Sequence, residues 1–156
     1  MVKPVILRFE PISEGEIKRP VDKQAVLRAI SAALAKVSGQ EVAQIQSAFL
    51  ERERIGNTSL TSGIVIPHAV LNGRQSPILG IFNYPQGIQG WEDLDGHPIT
   101  HVLAILMGKA GITEQEADDI KHFFMALALP NFLQKISDTK QSQATIAVIK
   151  QQLEEK

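Results

Sequence analysis

His68 is the residue in this chain with the clearest prospect of covalent chemistry. It stands at the end of Arg52–Ala69, RERIGNTSLTSGIVIPHA, where the apolar run from Gly63 stops at Pro67. An imidazole can carry a transferable phosphoryl group or move a proton near neutral pH. To act as a nucleophile, one ring nitrogen should be pinned by a hydrogen bond so that the lone pair of the other faces outward. A backbone carbonyl within Ile66–Val70 is the expected acceptor. Once phosphorylated, the ring carries roughly two negative charges and needs nearby donors. Arg52 and Arg54 supply planar, permanently charged forks that suit phosphate oxygens. Asn57, Thr58 and Ser59, with Thr61 and Ser62, add small polar groups, and Gly56 and Gly63 allow close backbone approach.

Each of these features also has a structural reading. A lone histidine after proline can be an ordinary turn residue. Glu51-Arg52-Glu53-Arg54 can be a solvated helix end whose pairs are worth only tenths of a kcal/mol. Gly56–Gly63 is too short for a nucleotide-binding phosphate loop and lacks its lysine. His68, His97 and His101 match no ordinary metal-ligand spacing.

The elements around the site follow from periodicity and punctuation. Asp22 is the expected N-cap of a helix from Lys23 to Val37, with Val26, Leu27, Ile30, Leu34 and Val37 on one face and Gly39 as its stop. A second helix over Gln40–Arg54 should turn Val42, Ile45, Ala48 and Phe49 inward. Gly63–Ile66 reads as a short strand that Pro67 ends, so His68 is expected at a strand-to-loop exit. Asn72-Gly73 reads as a turn, Ile78–Phe82 as a buried strand, and the segment through Trp91 as irregular. Asp95-Gly96 marks another turn. Ile99–Met107 has the continuous apolar character of a central strand covered on both faces. Helices are expected over Glu114–Ala128, Asn131–Ile136 and Gln143–Leu153. The order predicts an α/β fold, a mixed sheet flanked by helices on both faces. Residues 1–20 read as a flanking arm, with Val5–Phe9 as a candidate edge strand, and residues 21–156 as one domain.

Composition narrows the function. With 16 basic and 17 acidic side chains the net charge is −1, so the chain lacks the basic footprint of a nucleic-acid binder. It has no cysteine, which removes disulfides, thiolate metal sites and a thiol nucleophile. No apolar run reaches spanning length and the start carries no signal pattern, so a cytoplasmic location is expected.

Several segments together resemble the IIA domains of the mannitol and fructose type in the phosphotransferase system. They are Leu50-Glu51-Arg52-Glu53, the glycine, serine and threonine loop, Gly63-Ile-Val-Ile-Pro-His-Ala69, Gly87-Ile88 with Trp91, and Asp95-Gly96-His97-Pro98-Ile99. The resemblance implies that His68 is the phosphoryl acceptor and that Arg52 steadies the phosphate. It implies receipt from the phosphocarrier protein HPr and delivery to a IIB component for sugar uptake, with membrane contact only through a IIC component and no cofactor or metal. A regulatory branch of the family implies an alternative, in which phosphorylation of His68 controls binding to a target protein. Many relatives carry a second active-site histidine, and ungapped alignment puts Glu116 at that position. Glu116 also completes the capping box Thr113-x-x-Glu116, a structural role open to the same residue.

Overall fold

The computed structural model of the chain describes residues 8–11 and 21–154. They form one mixed sheet between two layers of helices, the architecture that the sequence predicts. The strands are β1 (Arg8–Pro11), β2 (Val21–Asp22), β3 (Ile64–Val65), β4 (His68–Arg74), β5 (Ile78–Glu92) and β6 (Pro98–Ala110). The helices are α1 (Lys23–Ser38), α2 (Val42–Ile55), α3 (Glu114–Leu127), α4 (Pro130–Ser137) and α5 (Ser142–Glu154). The sheet is built on the antiparallel pair of β5 and β6. β1 and β2 lie parallel to β5, and β3 and β4 parallel to β6. Of the expected arm, Arg8–Pro11 form β1, which overlaps the candidate strand Val5–Phe9 at Arg8 and Phe9; positions 1–7 and 12–20 lie outside the described residues.

Alternation along β5 and β6 divides the interior into two cores. Ile78, Phe82, Ile99, Val102 and Leu106 join Val26, Leu27, Ile30 and Leu34 of α1 and Ile45 and Phe49 of α2. Leu79, Ile81, Leu103 and Ile105 face Phe123, Phe132, Leu133, Ile136 and Ile149 from the last three helices. The helix ends follow local chemistry. The Asp22 carboxylate accepts from the Ala25 amide at 2.8 Å, and Gly39, at φ 77°, ends α1 in the left-handed conformation. Val42 is 43% exposed rather than inward, because it occupies the first turn of α2, before the helix reaches the sheet.

Three expectations about strands need correction. His68 begins β4 rather than leaving a strand for a loop. Ile64 pairs with His101 and His68 with Ile105 at the same offset along β6, so β3 and β4 form one line interrupted at Pro67. Proline offers no donor, but its carbonyl accepts from Ile105 N at 2.9 Å and keeps the ladder going. Asn72-Gly73 lies inside β4, where the register slips between Leu71 and Arg74; this is a bulge, not a chain reversal. The segment from Asn83 to Trp91 continues β5, with register shifts around Ile88. The Asp95-Gly96 turn between β5 and β6 is present.

Candidate functional site

The site lies where the end of α2, the loop after it and the start of β4 meet. Ala69 and Leu71 of β4 point into the core shared with α1 and α2, so alternation turns His68 toward the opposite layer. There its ring stacks on Phe124 of α3, centroids 5.5 Å apart and planes within 10°. The ring is half-buried. Nδ1 is shut off from solvent and has no hydrogen-bond partner among the described residues. The expected backbone carbonyl is therefore absent, and the Phe124 face orients the imidazole instead. Nε2 remains as the nitrogen that an incoming group can reach.

Charge and burial both hold this ring neutral. Burial is the main cause of a pKa below the ordinary 6.5, because an imidazolium would leave a charged N–H without water or acceptor. The Arg52 guanidinium pushes in the same direction, and the Glu53 carboxylate opposes it. A neutral imidazole keeps a free lone pair, which nucleophilic attack requires.

The loop that follows α2 braces the site. Arg52 Nη1 donates to the Gly56 carbonyl at 3.1 Å, which folds the guanidinium back over the loop entrance. Thr58 Oγ1 donates to Glu53 Oε1 at 2.9 Å, and Lys23 Nζ stands 3.2 Å from Glu53 Oε2. The Asn57 side-chain oxygen accepts from Ser59 N at 2.9 Å, an Asx turn. Ile66 N donates to Thr58 O and Leu60 N to Ile64 O, clipping the loop onto the strand that leads to His68. Ser62 adopts φ 61° and is followed by Gly63 at φ 74°. The Gly63 amide donates to Asp93 Oδ2 at 2.8 Å.

A model of the phosphoenolpyruvate-dependent sugar phosphotransferase system, EIIA 2, matches residues 12–152. The chain belongs to this family. A nitrogen regulatory protein of Bradyrhizobium diazoefficiens is 24% identical over 127 residues, spanning 81% of this chain and 82% of its own. The fold is similar to nitrogen regulatory protein IIA-Ntr from Neisseria meningitidis, with a TM-score of 0.68 and 15% identity across 93% of this chain and 92% of that one. It is also similar to a chain of the complex of enzyme IIA mannitol and phosphorylated enzyme IIB mannitol from Escherichia coli. That match has a TM-score of 0.61 and 20% identity across 92% of this chain and 99% of that one.

Within this EIIA fold the residues singled out in the sequence divide into two groups. Arg52 lies close enough for its charge to act on His68, and Thr58 and Ser59 are buried in the loop after α2. Asn57 is exposed. Arg54 points away, 3.3 Å from Glu51 in an exposed pair. Glu116 is buried and completes the capping box: it accepts from Thr113 N at 2.9 Å while Thr113 Oγ1 accepts from Glu116 N at 3.1 Å. The remaining histidines have structural partners. His101 is buried with Nδ1 2.8 Å from Thr100 Oγ1 and Nε2 2.7 Å from Thr139 O, so neither nitrogen is free for a metal. His97 pairs with Asp93 at 3.6 Å, and His122 Nδ1 lies 2.9 Å from Asp118 O.

Sequence reasoning missed Phe124 and Glu53. Phe124 is one of several apolar residues on α3, and only the tertiary packing that sets its ring against His68 selects it. Glu53 had a readable signal, since it lies one residue beyond Arg52 on the same helix end. Its partner Lys23 is 30 positions away.

Proposed function

We propose that this chain is a regulatory IIA-type phosphoacceptor. Nε2 of His68 takes a phosphoryl group from the phosphocarrier protein HPr, and the phosphorylation state of His68 controls binding to a target protein. The observation that carries this reading is the neutral, half-exposed His68 ring, set on Phe124 with the Arg52 charge acting on it. In the step itself, the Nε2 lone pair attacks phosphorus held on the donor imidazole. The P–N bond to the donor breaks as the new one forms, and its electron pair returns to the donor ring. No proton is consumed, so positioning and charge balance carry the catalysis. Arg52 balances the charge on the new phosphohistidine.

The nitrogen regulatory names of the relatives support a regulatory output. Delivery to a IIB component for sugar uptake is the second reading, supported by the family's description as a sugar phosphotransferase component and by the mannitol complex among similar folds. Parallel capture experiments with phosphorylated and unphosphorylated protein separate the two. The regulatory reading expects a cellular protein retained by one form only, and no transfer to IIB components added to the phosphorylated form. Rapid discharge to a IIB component, with no form-specific partner, would contradict it.

A further inference from the structure

The Glu53 side chain is 10% exposed, and both carboxylate oxygens are held: Oε1 by the Thr58 hydroxyl at 2.9 Å, Oε2 by Lys23 Nζ at 3.2 Å. Lys23 is fixed in turn, with Nζ 5.0 Å from the centre of the Trp91 ring, which is itself buried. These contacts hold the carboxylate in place beside the loop that leads to His68. It sits on the same helix end as Arg52, and Thr58, which holds it, accepts through its carbonyl from the amide of Ile66, two residues before His68; the Arg52 and Glu53 charges act on that ring with opposite sign. Holding an acid beside a phosphate-bearing histidine is unfavourable for the phosphorylated state and nearly indifferent for the neutral one. The cost falls on the product alone. For a carrier this has a use, because a phosphoryl group bound too tightly is not passed on.

We propose that Glu53, clamped between Lys23 and Thr58, keeps the phosphoryl group on His68 transferable, and that Lys23 sets how strongly it does so by neutralising part of the Glu53 charge. This inference rests on His68 being the phosphoacceptor. Glu53 touches no reacting atom; it acts through its field, against the stabilising field of Arg52. Lys23, from the first turn of α1, thereby links that helix to the chemistry.

The test is an equilibrium between this protein and phosphorylated HPr, with the phosphorylated fraction of each read by intact mass. Glu53→Gln keeps the size of the side chain and an acceptor for Thr58 but removes the charge. It should raise the phosphorylated-to-free ratio of His68 by roughly threefold or more, the scale of one partly screened charge interaction. Lys23→Met should lower that ratio. The His68 imidazole pKa, followed by NMR in the unphosphorylated proteins, should fall in Glu53→Gln and rise in Lys23→Met. A purely structural tie would lower the melting temperature of both variants and leave ratio and pKa unmoved. That result, or a lower ratio in Glu53→Gln, would overturn the proposal alone. A wild type that accepts no phosphoryl group would overturn the phosphoacceptor reading and this proposal with it.

Discussion

At the scale of single residues, the chemistry of His68 depends on what surrounds the ring. Burial lowers its proton affinity first and the Arg52 charge second. Arg52→Gln should therefore raise the His68 pKa toward the ordinary 6.5, observable as a shifted imidazole titration. It should also reduce the phosphorylated fraction at equilibrium by about tenfold, the value of one charge-assisted contact to phosphate. An unchanged titration would mean that Arg52 does not act on the ring. Phe124→Leu keeps the apolar contact but removes the flat face on which the ring stacks. With no hydrogen bond on Nδ1 to hold orientation, phosphorylation should slow by about tenfold while the fold stays intact, checked by single-turnover labelling. Sequence could name His68 and Arg52 because their types and spacing carry the chemistry. It could not name Phe124, whose role comes only from the tertiary packing that stacks its ring on His68.

At the scale of elements, two substitutions probe how the site is held. Gly108 of β6 lies opposite Leu71 at the β4 bulge, and a Cβ there would meet the Gly73 carbonyl, Gln75 N at 2.6 Å and Ala110 O at 2.9 Å. Gly108→Ala should destabilise the protein by about 2 kcal/mol, since all three neighbours are backbone and yield little. Chemical denaturation measures the loss, and a neutral result would argue against the bulge. Thr113→Ala removes half of the α3 capping box and should cost about 1 kcal/mol without changing the rate of phosphorylation. A slowed rate would mean that the Thr113–Glu116 end of α3 takes part in transfer. Helices α1–α5 were legible because 3.6-residue periodicity is local, as are the capping signals of α1 and α3; the Asp22 and Gly39 ends of α1 and the Thr113–Glu116 box all stand where the sequence puts them. β4 was not legible. Pro67 and Asn72-Gly73 both resemble chain breaks, and only pairing to a distant strand, β6, keeps the segment extended. The same holds for β5 beyond Asn83, where Pro85 and Gly87 mask a strand that continues with shifted register.

At the scale of the whole molecule, one sheet with a core on each face places α2 and α3 around a common edge strand, so groups far apart in sequence meet at His68. The same burial makes stability depend on pH. His101, buried against Thr139, and His68 both have pKa values pushed below 6.5, chiefly by burial. The unfolded chain binds these protons more readily, so their contribution is complete above pH 6.5 and is lost as pH falls below it. For Asp93, burial pushes the pKa up, but hydrogen bonds from His97, Gly63 and Asp95 amides prevail and hold it below 3.8. Its contribution persists above that value and fades as pH drops further. Denaturation across pH should show a plateau above pH 6.5 and a decline below it; stability that rises on mild acidification would contradict this arrangement. Incubating the protein with phosphoenolpyruvate, enzyme I and HPr and locating the phosphoryl group by NMR decides whether His68 is the acceptor. The expected result is one phosphoryl group per chain, on Nε2 of His68, and none in His68→Gln. A wild type that stays unlabelled, or a variant that labels equally well, would contradict it.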